Sequence, residues 1–199
     1  MGQMVSDSID RSVQALSKQD EELARQVIDY DDEINLAQHD IDEKCLVLIA
    51  TQQPMAGDLR TILSVSNVAS ELERIGDHTE GIAKLAIKLA SKPLLKPLID
   101  IPRMAEIGRK MLREALEAFA REDADAAPKI GEQDDVVDAL YDQVYRELLV
   151  FMMEDPRTIT QATYLLWIAH NLERIADRTT NIAERVVFTA SGKIVDLNR

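Results

Sequence analysis

The sequence predicts an all-α protein built from two tandem three-helix bundles. Three observations carry that expectation. Of 199 residues, 46% are apolar but only 4% aromatic, with seven Gly and six Pro, so aliphatic side chains fill the core and helix breakers are few. Apolar residues recur at three- and four-residue intervals. Residues 72–83 read LERIGDHTEGIA and residues 172–183 read LERIADRTTNIA, with eight of twelve letters identical. A phrase repeated at that length marks a duplicated structural unit.

The first helix carries Met4, Ile9, Val13 and Leu16 on one face. The polar stretch SKQDEELA connects it to a long second helix bearing Val27, Ile28, Ile34, Ile41, Cys45, Leu48 and Ile49. Pro54 and Gly57 in TQQPMAGD end that helix, and a third runs from about Leu59 to Ala90. SKPLLKPLID, with two prolines, reads as a linker. The plan then restarts. A helix covers about Pro102 to Arg121, and EDADAAP comes next, with Asp123 standing where Asp20 stood. A long helix covers about Ala127 to Met153, EDPRT breaks it at Pro156, and the last helix runs from about Ile159 to Thr189. An offset of 103 pairs Val27 with Ile130, Asp31 with Asp134, Ile34 with Val137 and Ile41 with Val144. The offset falls to 100 after the second break, which is three residues shorter. The expected organisation is a first bundle over 1–92, its opening helix short at the start, a linker over 93–101 and a second bundle over 102–199.

The net charge of −13 argues against direct nucleic-acid binding and favours cations or a basic partner. The single cysteine, Cys45, allows no internal disulfide and sits in an apolar run as a small hydrophobe, which favours a reducing compartment. MGQMVSDSID lacks the basic start and apolar stretch of a signal peptide. The longest apolar run, YLLWIA at 164–169, is too short to span a membrane. A cytoplasmic location is the expectation.

On a helical wheel Val65, Val68, Leu72, Ile75, Gly76, Thr79, Ala83 and Ala86 form the core stripe of the third helix. Glu73, Asp77 and Glu80 line its border, with Arg74 and His78 pointing away. The sixth helix repeats this with Leu172, Ile175, Ala176, Thr179 and Ala183 inside and Glu173, Asp177 and Glu184 on the border. One Glu-x-x-x-Asp pair costs a helix only about 0.2–0.5 kcal/mol, so alone it is ordinary surface chemistry beside Arg74 or Arg174. The long helices change that reading. Asp31 and Asn35, and Asp134 and Asp138, are also four apart and occupy equivalent places in the two copies. If these helices pack beside the third and sixth, each copy gathers two pairs of oxygen donors whose repulsion a cation would relieve. All-oxygen ligation suits Mg²⁺, Mn²⁺ or Ca²⁺ and is compatible with iron, whereas zinc usually wants His or Cys.

The remaining candidates are weaker. His39, His78 and His170 stand isolated and read as surface or capping residues. Tyr164 and Trp167 read as core packing, Met152 and Met153 as core or a partner-facing patch, and RKMLR at 109–113 as a solvated face. The sequence has no GxxxxGK[ST], no GxGxxG and no Glu-x-x-His, and no hydrolase constellation is visible, so a non-enzyme is expected. Two other readings stay open: a structural helical adaptor whose acid pairs are decoration, and a carboxylate-bridged metalloenzyme.

DDEIN at 31–35, QQPMAGDLR at 52–60, ELERIGDHTEGIA at 71–83, DDVVD at 134–138 and NLERIADRTTNIAERVVF at 171–188 together resemble the PhoU family of accessory regulators of bacterial phosphate transport. The resemblance covers essentially the whole chain. It implies two three-helix bundles related by a pseudo-twofold axis and multinuclear metal clusters held by E(D)xxxD motifs. It implies a negative regulator that represses the phosphate-starvation response when phosphate is plentiful. Contacts with the sensor histidine kinase and the ATPase of the phosphate ABC transporter would transmit that signal, and many members form homodimers. Carried over by residue, the metal ligands are Asp31, Glu73 and Asp77 in the first copy and Asp134, Asp138, Glu173 and Asp177 in the second. Iron, manganese or magnesium are the metals implied. Asn35 stands where the pattern wants an acid, so the first site is expected to bind fewer or weaker ions.

Overall fold

Two short connections of the same design set the plan. Gln19 and Glu122 both take the left-handed conformation, with φ of 54° and 53°, and stop the preceding helices. The next residue in each copy is an aspartate that caps the helical segment after it: Asp20 accepts from the Leu23 N–H at 3.0 Å and Asp123 from the Asp125 N–H at 3.1 Å. The computed structural model describes residues 1–197. Its helices are α1 (Gly2–Lys18), α2 (Glu21–Gln52), α3 (Gly57–Ala90), α4 (Asp100–Arg121), α5 (Ala127–Glu154) and α6 (Ile159–Ser191). Short 3₁₀ turns at Ala124–Ala126 and Pro156–Thr158 lead into α5 and α6. There is no strand among the described residues, and no helix long and apolar enough to cross a membrane.

The eight-residue polar connection expected after the first helix shrinks to Gln19 and Asp20, because the Asp20 cap lets α2 begin at Glu21. Likewise α4 begins at Asp100 rather than Pro102, since a proline in the first helical turn loses no hydrogen bond. The linker between α3 and α4 runs through turns and bends, and Leu94, Leu95 and Leu98 pack against the core. Lys96 pairs there with Glu147 of α5.

Each copy is a hairpin of two long helices, α2 with α3 and α5 with α6, carrying α1 or α4 across it. The copies meet through α1 against α4 and α3 against α6. Arg109 donates to Asp10 at 2.5 Å across the first contact. Across the second, His78 Nδ1 and Asn171 Oδ1 are 2.9 Å apart, Asn181 donates to Glu71 at 3.1 Å, and Arg178 lies 3.5 Å from Glu71. Residue numbers rise on one helix as they fall on the other, so the pairs run antiparallel. The repeat offset of 100 exchanges Glu71 with Asn171 and His78 with Arg178, the signature of a pseudo-twofold axis through this contact. One buried cluster includes Ile9, Ile75 and Ile82 from the first copy and Met104, Met111, Ile175 and Ile182 from the second.

Four single-helix readings change. His78 is half-buried between the bundles rather than pointing away, because α6 covers the flank of α3 that a wheel leaves to solvent. Trp167 is 51% exposed, not core. Met111 and Leu112 are buried, so RKMLR is amphipathic rather than a solvated face. Val65 is only half-buried, near the turn where α2 and α3 run beyond α1.

Candidate metal centres

Asp31 and Asp134 occupy the core face of α2 and α5, one turn from the buried Ile34 and Val137. Burial at that register sends each carboxylate into the seam with the neighbouring helix. Asp31 is 7% exposed and Asp134 6%, yet Oδ1 of each has no hydrogen-bond partner. A buried, unpartnered carboxylate oxygen is costly unless something cationic meets it.

In the first copy α3 supplies the surroundings. A methyl placed on Gly76 would lie 2.9 Å from Asp31 Oδ1, so the missing side chain at position 76 is what lets the carboxylate reach α3. Burial, and then the negative charges of Asp77, Glu80 and Glu73, push Asp31 from 3.8 to about 6. The Asn35 amide opposes this by donating to Asp31 Oδ2 at 3.1 Å, and its own Oδ1 is unpartnered. Glu73 is also raised, by burial and by Asp77. Lys84 draws Glu80 aside with a 2.5 Å ion pair.

The second copy repeats the arrangement between α5 and α6. Burial, with Asp138 and Asp177 next in weight, raises Asp134 from 3.8 to about 7. Glu173 rises from 4.5 to about 7 by burial and by Asp177, against the pull of Arg174. Asp138 is raised by burial and by Asp177. Arg174 donates to Asp177, so that ligand candidate is already partly neutralised.

All seven residues singled out in the sequence therefore fall in two acid nests, Asp31 with Glu73 and Asp77, and Asp134 and Asp138 with Glu173 and Asp177. Within each nest the groups raise one another's pKa or that of a neighbour. Among the described residues no three acid, imidazole or thiol groups already converge in ligating geometry, so ligation requires side-chain rotation. The donor chemistry fits a hard cation: up to four carboxylates, with orphaned oxygens at the buried end of each nest. Glu184, expected on the same border, instead accepts from the Leu197 N–H at 2.8 Å.

Two residues outside that set of seven belong to the second nest. His170 Nδ1 lies 3.2 Å from Glu173 Oε2, though not in hydrogen-bond geometry, and the Tyr141 ring packs on the imidazole with centroids 6.0 Å apart. A sequence signal for His170 exists: it is three before Glu173, hence on the same helix face.

Comparison with known proteins agrees with this architecture. Over 195 residues the chain is 44% identical to the phosphate-specific transport system accessory protein PhoU homolog of Aquifex aeolicus, spanning 98% of this chain and 88% of that one. It is 37% identical over 193 residues to the phosphate-specific transport system accessory protein PhoU of Escherichia coli, spanning 97% and 80%. The crystal structure of PhoU from Pseudomonas aeruginosa superposes with a TM-score of 0.92 at 40% identity, covering 97% of this chain and 93% of that one. That of the phosphate transport system regulatory protein PhoU from Streptococcus pneumoniae gives 0.90 at 34%, covering 98% and 92%. The PhoU domain matches twice, at residues 1–86 and 101–186, once for each copy of the three-helix unit, and the chain belongs to the PhoU family.

Proposed function

We propose that the chain is a metal-binding, non-enzymatic negative regulator of phosphate uptake, acting in the cytoplasm as an adaptor between the phosphate ABC transporter and its sensor kinase. Two supports differ in kind. Relatives at 37–44% identity across nearly the whole chain are named as accessory proteins of a phosphate-specific transport system. The metal-binding half rests on one observation: in each copy a carboxylate more than nine-tenths buried aims an unpartnered oxygen at a second acid pair. Asp31, Glu73 and Asp77 would hold one ion or cluster, and Asp134, Asp138, Glu173 and Asp177 the other. A bound cation supplies charge that neutralises the nests and fixes the seams of the two hairpins. The chain's own part is to hold the buried Asp31 and Asp134 against the exposed Asp77 and Asp138, which leaves the outer helix faces free for partners.

The test uses the full chain purified from cells grown in phosphate-rich and phosphate-poor medium. Elemental analysis of Glu73→Ala/Asp77→Ala should give less metal per chain than wild type, whereas Arg113→Ala, on α4 outside both nests, should match wild type. The wild type should bring down the transporter ATPase or the sensor kinase from phosphate-rich cells. Equal metal in all three proteins removes the site assignment, and absence of both partners at either phosphate level removes the adaptor role.

A further inference from the structure

The two nests share a plan but not a donor set. At the position 100 residues before His170 stands Ser70, so the first nest has no imidazole at that place. The histidine on that side, His39 on α2, is exposed and lowers Glu73 through its charge. The second nest loses part of one oxygen donor, since Arg174 holds Asp177. In exchange it has His170 Nδ1 3.2 Å from the otherwise unpartnered Glu173 Oε2. The Tyr141 ring, seven residues along α5 from Asp134, limits where that imidazole can go. In the same acid nest as Glu173, Asp134 Oδ1 is buried without a partner, the orphan that a ligand would satisfy.

We infer that His170 is a nitrogen ligand of the second centre, joining Asp134, Asp138 and Glu173, so that this centre selects an imidazole-loving transition ion of the Zn²⁺, Co²⁺ or Cu²⁺ kind. The first centre, with oxygen donors only, takes harder ions such as Mn²⁺ or Mg²⁺. The inference rests on the carboxylate centres proposed as the metal sites and adds the ligand that distinguishes the two halves. Three carboxylates and one imidazole suit a borderline cation, because neutral nitrogen donors bind late first-row ions far better than they bind Mg²⁺ or Ca²⁺. The His170 side chain is 53% exposed, so an ion can reach it from solvent, and the Tyr141 ring against it reduces the freedom lost on ligation.

Pulsed EPR of the full chain carrying one equivalent of Cu²⁺ tests this, since the remote nitrogen of a ligated imidazole modulates the echo. The modulation should be present in wild type, persist in His39→Gln and His78→Gln, and vanish in His170→Gln. In parallel, His170→Gln should weaken Zn²⁺ binding by about tenfold or more and leave Mn²⁺ binding within about threefold. If Cu²⁺ and Mn²⁺ bind but the modulation is absent, or survives His170→Gln, the nitrogen ligand is wrong while the carboxylate centres stand. If neither ion binds the wild type, both the inference and the metal-binding reading fall.

Discussion

Burial decides the behaviour of Asp31, Asp134 and Glu173 before any neighbour does, because loss of water is the largest cause lifting each carboxyl. The consequence for stability has a definite sign. In the folded chain these groups hold protons up to about pH 6 or 7, while in the unfolded chain they release them near their ordinary values of 3.8 and 4.5. Between those limits the native state binds more protons, so stability falls as pH rises through the window and levels off above it. His78, pulled down by burial, acts in the opposite direction just below its ordinary 6.5, while Glu73 and Asp138, both raised, act with the three. Metal-free protein in chelator should therefore unfold at lower urea concentration at about pH 8 than at about pH 5. Asp134→Asn, which carries no charge to bury, should narrow the difference. A midpoint that is equal or higher at the alkaline pH would contradict the account.

Packing of α3 against α2 depends on one missing methyl. An added Cβ at Gly76 would meet Asp31 Oδ1 at 2.9 Å and Ile34 Cγ2 at 3.2 Å, so Gly76→Ala pushes the Asp31 carboxylate aside and crowds Ile34 where the first nest lies. The equivalent residue in α6 is Ala176, fully buried, so the second hairpin already accommodates the larger side chain. Overpacking costs about 1–3 kcal/mol and helix propensity returns about 1 kcal/mol, leaving a net loss of up to about 2 kcal/mol. Thermal melts should show that loss, and metal content should drop by the first site's share only. An unchanged melting temperature would mean that the seam can open freely. Helices and their seams also show what was legible in the sequence. Six helices, the duplicated unit and the facing acid pairs came from spacing within single helices and from an offset between copies. The burial of His78 did not, because α3 and α6 each have two buried flanks, one for their own hairpin and one for the other bundle. A single wheel registers only the apolar flank. The inter-bundle flank is lined by Glu71, His78, Asn171 and Arg178, whose polarity imitates a solvated face until their partners across the pseudo-twofold axis are known.

That polar flank is backed by a hydrophobic core running unbroken from Ile9 and Ile75 to Met111 and Ile175. Neither bundle closes its core alone: α1 turns one side to α4, and α3 one side to α6. Separating them would expose buried aliphatic surface, a cost that opposes independent unfolding. The duplicated sequence invites the opposite expectation, since two matched repeats suggest two folding units. Chemical denaturation distinguishes them because the only tryptophan, Trp167, lies in the second copy while helical circular dichroism reports both. With one shared core the two signals should trace a single transition with the same midpoint and the same slope on denaturant. Two independent bundles would put the fluorescence transition at its own denaturant concentration, with the dichroism curve split between that step and another. Loading with metal should shift the single transition as a whole, since an ion bound in either seam stabilises every contact that unfolds with it.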